Sequence, residues 1–133
     1  MIEDDIDAAE TLKEALELND HVVDVALTGS EGLDLVRAIH PDVVLCDIGL
    51  PGIDGFQVAK RIRADPVSGG VALIALSGYA QPEDLERSKQ AGFDLHLAKP
   101  PGMDALERAI VQARASAAGR STASRQGLDP ASG

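Results

Sequence analysis

The stretch Pro41–Gly55, PDVVLCDIGLPGIDG, decides how this chain folds. Val43, Val44, Leu45 and Cys46 form a short apolar run between Pro41-Asp42 and a loop punctuated by Gly49, Pro51 and Gly52. A run of that length, enriched in β-branched residues, reads as a strand buried on both faces, as parallel sheets use. It ends on Asp47. Open α/β sheets place their chemistry beyond the carboxyl ends of their strands, so Asp47 is expected to face a crevice and not a core. The loop from Ile48 to Asp54 holds too much Gly and Pro to continue as strand or helix.

Outward from this stretch, helix and strand patterns alternate. Ile6–Leu18 reads as an amphipathic helix with Ile6, Ala9, Leu12 and Leu16 on one stripe. Val22–Leu27 is a strand candidate. Thr28 and Glu31 form a capping box that opens a helix over Gly29–Ile39, with Leu33, Val36 and Ile39 inward. Downstream, Gly55–Ala64 is helical with Phe56, Ala59 and Ile62 inward, and Val71–Leu76 is a second buried strand ending on Ser77. Pro82–Ala91 is a helix, Leu95–Ala98 a short strand ending on Lys99-Pro100, and Asp104–Ala118 the last helix, with Leu106, Ile110 and Ala113 inward. The alternation predicts a parallel sheet with helices on both faces. Residues 119–133 are mostly Gly, Ser, Ala and Arg with one large apolar residue, Leu128, and are expected to form a disordered polar tail.

The totals narrow the function. With 133 residues the chain suits one domain and one core. Aromatics are only 2%, so Leu, Val, Ile and Ala must fill that core. A net charge of -10 argues against gripping nucleic acid or an anionic membrane surface. A single Cys excludes a disulfide framework and a Cys-based zinc site, and fits a reducing, cytoplasmic setting. Apolar runs such as Val71–Leu76 are too short to span a bilayer. The acidic N-terminus is not a signal peptide.

Four polar features fall just past apolar segments: Glu3-Asp4, Asp47, Ser77 and Lys99. In a parallel sheet all such ends lie on one edge, so these residues should converge. Three carboxylates at close range repel one another, and one is pushed to bind a proton. A hard divalent cation removes that conflict, and oxygen ligands with few protein contacts suit Mg²⁺. Lys99 could pair with the remaining charge or with an incoming phosphoryl group, and Ser77 could donate to that group. Taken singly, Asp47 is a loop carboxylate, Glu3-Asp4 a charged approach to a helix, Ser77 a turn residue and Lys99 a solvated charge. Cys46 alternates away from Asp47 into the core, and His21 and His40 have no metal-ligand spacing.

In this order the features resemble the receiver domain of two-component response regulators. The matching stretches are Glu3-Asp4, LCDIGLPGIDG (Leu45 to Gly55), ALSGY (Ala75 to Tyr79) and Lys99-Pro100. AGFDLHLAKP (Ala91 to Pro100) looks most like receivers at the C-terminal end of hybrid histidine kinases. The resemblance covers residues 1 to 118 and implies a flavodoxin-like, doubly wound parallel sheet of order 2-1-3-4-5. It implies that Asp47 is a phosphoacceptor for a phosphohistidine on a histidine kinase or histidine phosphotransfer protein, a regulatory role and not that of an enzyme. Asp4, Asp47 and the carbonyl of Gly49 would bind Mg²⁺, with Glu3 acting through water. Ser77 and Lys99 would contact the phosphoryl oxygens, Ser77 and His96 would form the switch, and Pro100 is a candidate for a cis peptide bond. Output would come from the surface of the last two helices and the strand between them, through which a homodimer could also form.

The chain departs from the family pattern in three places. His96 stands where an aromatic switch residue is usual, and its charge would make the switch pH-sensitive. Relatives have a longer apolar strand before the acidic pair, whereas this chain has Met1 and Ile2 only. That fits a clipped fragment or a start codon placed too late, and it truncates the first strand. The stub favours an alternative, a receiver-fold interaction module without phosphotransfer. An aspartyl-phosphate phosphohydrolase fits less well, because Asp47-Ile48-Gly49 lacks a second Asp, and a flavin protein would need hydroxyls where Glu3 and Asp4 stand. The third departure is Gly49, which has no side chain to shield an acyl phosphate on Asp47 from water. Gly49→Asn is therefore expected to lengthen the lifetime of the phosphorylated form; an unchanged lifetime counts against the idea.

Overall fold

The computed structural model describes the backbone of residues 1–78 and 82–132 and the side chains of 1–78 and 82–119. Its elements are α1 (Ile6–Leu18), α2 (Gly29–Ile39), β1 (Val43–Asp47), α3 (Gly55–Ala64), β2 (Ala72–Ser77), α4 (Pro82–Ala91), β3 (Leu95–Ala98) and α5 (Met103–Ser132). The last helix, expected to end at Ala118, runs on to Ser132 through the segment expected to be a disordered tail; the side chains from position 120 on lie outside the described ones. Tyr79 lies outside them too.

The helix starts follow the chemistry read from the sequence. Thr28 Oγ1 accepts from the Glu31 amide at 3.1 Å, and Glu31 Oε2 accepts from the Leu27 amide at 3.1 Å. Asp5 and Asp54 cap α1 and α3 through the amides of Ala8 and Gln57. Each satisfies a donor that the first helical turn leaves without a partner.

β1, β2 and β3 pair in parallel, with Asp47 opposite Leu76 and Ser77 opposite Ala98. On the other side of β1, Ile2 alone forms parallel bridges, to Cys46 and to Ala26. Reading across gives Ala26, Ile2, β1, β2, β3. This is the order 2-1-3-4-5 with its first two positions reduced to one bridging residue each. The side chains alternate as a sheet buried on both faces requires. Val44, Cys46, Leu73 and Ala75 join Phe56, Val58 and Ile62 of α3 in one cluster, and Leu45, Ile74 and Leu76 join Leu16, Leu106 and Ile110 in the other.

Three further expectations are corrected. The strand over Val22–Leu27 does not form. Residues 21–25 have no regular structure, Ala26 makes a single bridge, and Val22 is 94% exposed. A strand needs a neighbour of matching length, and Met1-Ile2 offers one pairing position. Ile6 and Ile39, expected inward, are exposed at 55% and 44%. They sit at a helix start and a helix end, beyond the reach of the clusters.

Ile2 locks the first two positions of the sheet to β1. Its amide donates to Leu45 O at 2.7 Å, and its carbonyl accepts from the Asp47 amide at 2.9 Å. Its side chain fills the space above Gly32, where a Cβ would stand 2.4 Å from Ile2 Cδ1. Beyond Met1 lies a cavity of about 550 Å³ between residues 22–24 and 43–45, lined by Leu16, Val23, Leu35, Val43, Leu45 and Ile110. Met1 and Asp24 also line it, and the Met1 nitrogen donates to Asp24 O at 2.8 Å, as a strand amide would.

A short β-branched extension ahead of Met1 is expected to fill this cavity and raise the urea midpoint. Each fully buried aliphatic side chain contributes roughly 1.5–3 kcal/mol, against about 1–2 kcal/mol per residue for ordering the backbone. A Gly-Ser extension of equal length should leave the midpoint unchanged.

Candidate functional site

The carboxyl edge of the sheet gathers the polar residues. Asp47 ends β1, Ser77 ends β2, and Lys99 follows β3. Glu3 and Asp4 follow the bridging residue Ile2. Register alone sets this assembly, because parallel strands deliver their carboxyl ends to one side. Among the described residues, carboxylate oxygens of Glu3, Asp4 and Asp47 all lie within 4.8 Å of one another.

Lys99 Nζ lies 3.1 Å from Asp47 Oδ2 and 2.5 Å from Glu3 Oε1. The other oxygen of Asp47 accepts from the Gly49 amide at 3.0 Å. Lys99 is held from behind: its own amide donates to Ser77 O at 2.8 Å, and the Lys99-Pro100 bond is cis. Asp4 is exposed at the rim, whereas Glu3 and Asp47 are buried. Gly55 sits under the loop, where a Cβ would stand 2.5 Å from Asp47 O, so the start of α3 can pass close beneath the site.

The electrostatics follow from two carboxylates facing one ammonium. Burial, reinforced by a hydrogen bond to Asp47 and opposed by Lys99, pushes the Glu3 carboxyl up to about 7. Burial also works against ionised Asp47, but hydrogen bonds from Glu3, the Gly49 amide and Lys99 outweigh it and hold Asp47 below its ordinary range. Burial opposes the charge on Lys99, and its bonds to Glu3 and Asp47 more than restore it. Below about pH 7 the pocket therefore holds a proton on Glu3, beside an anion on Asp47 and a cation on Lys99.

The donor set fits a hard divalent cation. All the candidate ligands are oxygens, and Glu3 Oε2 is buried with no hydrogen-bond partner among the described residues. An orphaned carboxylate oxygen beside two further carboxylates is what a cation or its bound water would satisfy.

Ser77 Oγ lies 2.7 Å from His96 Nε2, and Ser88 Oγ lies 2.9 Å from His96 Nδ1. Burial lowers the His96 pKa from its ordinary 6.5, against the charge of Asp84. The ring therefore gains its charge at a lower pH than a free imidazole, and the expected pH sensitivity of the switch shifts downward with it.

Two partners escaped the sequence reading. Ser88 is one; its signal was a Ser three residues before the buried Ala91, on the inward stripe of α4. The choice of Glu3 beside Asp47 as a carboxylate that Lys99 touches is the other; their meeting at one sheet edge was expected, but not which acids Lys99 pairs with. His21, read as a surface residue, places Nε2 2.9 Å from Glu107 Oε1 and ties the irregular segment to α5. Cys46 is a core residue as expected, with burial pushing its thiol up to about 12.

The model of the response regulator receiver domain matches residues 1–111. The fold is similar to the signal receiver domain of a DNA-binding response regulator from Colwellia psychrerythraea, at 30% identity and TM-score 0.77 over 84% of this chain and 92% of that one. It is similar to the signal receiver domain of a modulated diguanylate cyclase from Desulfovibrio desulfuricans, at 31% identity and TM-score 0.76 over 87% and 91%. A chemotaxis protein from Vibrio cholerae shares the fold at TM-score 0.80 and 22% identity, over 84% and 93%. A comparison with curated protein sequences gives no match. Among the described residues no helix is long and apolar enough to cross a membrane.

The raised Glu3 carboxyl sets a pH dependence. Between its ordinary 4.5 and about 7, the folded pocket holds a proton that the unfolded chain has released, so stability without a cation falls as pH rises through that window. A cation must displace this proton. Affinity for Mg²⁺, measured by titration calorimetry, should rise up to about pH 7 by at most ~tenfold per unit and then level off. Glu3→Gln should flatten that rise; a slope that survives the substitution contradicts the assignment.

Proposed function

The chain belongs to the response regulator receiver domain family, and from that premise we propose that Asp47 is the phosphoacceptor of a two-component phosphorelay. The observation that carries this is the setting of Asp47: buried, ionised, and held between the Lys99 ammonium and the Gly49 amide at the carboxyl edge of the sheet. A carboxylate oxygen of Asp47 attacks the phosphorus of a phosphohistidine. The P–N bond breaks, its electron pair stays on the imidazole, and a mixed anhydride forms on Asp47. Such a transfer depends on positioning and on charge aimed at the equatorial oxygens. Lys99, already within 3.1 Å, moves its charge from the carboxylate to the arriving phosphoryl oxygens. Ser77 donates to another of them.

Asp4, Asp47 and the Gly49 carbonyl are the ligands we assign to Mg²⁺, with Glu3 acting through water. When bound, the ion supplies positive charge against the phosphoryl oxygens. The donor is a histidine kinase or a histidine phosphotransfer protein, which places the domain in the cytoplasm. The family is regulatory, and the output we assign is a change in the surface of α4, β3 and α5, where a homodimer could also form. Ser77 and His96 link the pocket to that surface.

The single-residue bridge at Ile2 favours a second reading, a receiver-fold interaction module that does not accept phosphate. Labelling with acetyl phosphate and Mg²⁺ separates the two. The phosphoacceptor reading expects label that Asp47→Asn and chelation both abolish, and that Lys99→Ala reduces. Label that persists in Asp47→Asn overturns it. A folded parent that takes no label favours the interaction module.

A further inference from the structure

His96 has a hydroxyl at each ring nitrogen. Ser77 Oγ is 2.7 Å from Nε2, and Ser88 Oγ is 2.9 Å from Nδ1. Ser88 is a buried polar residue, 3% exposed, on the inward face of α4. Its carbonyl accepts from the amides of Gly92 and Phe93, which fixes its backbone at the end of the helix.

A neutral imidazole carries one N–H and one lone pair. The two hydroxyls therefore cannot both donate to the ring or both accept from it. Two arrangements remain. In the first, Nδ1–H donates to Ser88 Oγ, and Nε2 accepts the Ser77 hydroxyl proton. In the second, the Ser88 hydroxyl donates to Nδ1, and Nε2–H donates to Ser77 Oγ, which turns the Ser77 proton away from the ring. The ring exchanges its proton with solvent on passing between them, so both hydroxyls and the ring are neutral in each.

We propose that Ser88 is a positioning residue coupled, through the tautomer of His96, to the direction in which the Ser77 hydroxyl donates. The inference rests on the reading of Ser77 as a contact of the phosphoryl group, and it gives α4 a part in that contact. A phosphoryl oxygen in the pocket accepts the Ser77 proton and selects the second arrangement. The Ser88 hydroxyl then turns from acceptor to donor, so occupancy of the pocket is registered inside α4. The coupling works in reverse as well: whatever reorients Ser88 changes the affinity of the pocket for the phosphoryl group.

The test follows the ring nitrogens of His96 by ¹⁵N NMR in the full chain, with His96→Phe assigning the signals. The resting parent should show one tautomer, and Mg²⁺ with beryllium fluoride, a phosphoryl mimic, should convert it to the other. Ser88→Ala should leave a mixture at rest and slow acetyl phosphate labelling of Asp47 about fivefold, the scale of one hydrogen bond. In a His96→Phe background Ser88→Ala should slow labelling no further, because the ring through which it acts is gone. Identical ring spectra in the resting parent and Ser88→Ala overturn the proposal, as does an equal effect in both backgrounds. Should the parent take no label, the phosphoacceptor reading fails while the resting spectra still decide the role of Ser88.

Discussion

Two carboxylates share one ammonium in a buried pocket, and the working part of this structure depends on that imbalance. Lys99 touches both Glu3 and Asp47. One cation does not fully neutralise two buried carboxylates, so one of them holds a proton up to about pH 7, and that one is Glu3. Asp47 is the carboxylate left ionised because it has the further support of the Gly49 amide. The difference between the two acids is thus one of partners. The attack proposed for Asp47 needs the carboxylate form, and these partners favour that form at Asp47 over Glu3.

The sheet is the device that brings these charges together at a low entropic cost. Glu3 and Lys99 stand at opposite ends of the domain sequence, yet each needs only to follow its own strand. The loops add the fine placement. Gly55 lets the start of α3 pass beneath Asp47 without a Cβ in the way, and the bond from the Lys99 amide to Ser77 O holds Lys99 beside the end of β2. A second clamp sits at the far edge of the sheet, where Arg63 donates to the carbonyls of Gly69, Val71 and Gly92 and pairs with Asp94. It fixes β3 against the end of α3.

The sequence was legible where local chemistry and global packing agree. α1, α2 and α3 lie where caps and apolar periodicity put them, and β1 ends on Asp47 as its loop demanded. The convergence of Asp47 and Lys99 followed from parallel topology alone. The parts that were not legible depend on neighbours. Val22–Leu27 has strand composition, but strand formation is a property of a pair, and its neighbour is two residues long. The Glu3–Lys99 contact and the Ser88–His96 bond are also pair properties, decided by how elements pack and by which nitrogen of a ring meets which hydroxyl. Ile6 and Ile39 show the remaining limit. Periodicity says which way a side chain points, and not whether anything is there to cover it.

Edge and core meet in Ile2. It supplies the bridges that hold Ala26 and β1 together, and the next residue along is Glu3 of the pocket. Any looseness in this short strand moves the Glu3 carboxyl directly, with no loop between them to absorb the shift. The Coulomb energy of Glu3 with Lys99 falls with their separation, whereas the cost of burying Glu3 does not. A pocket whose acid loses Lys99 therefore holds its proton more tightly and releases it less readily to a cation. The packing of one isoleucine against Gly32 and β1 thus bears on the charge state of the site that begins at the next residue, and folding stability and cation affinity are coupled through that isoleucine.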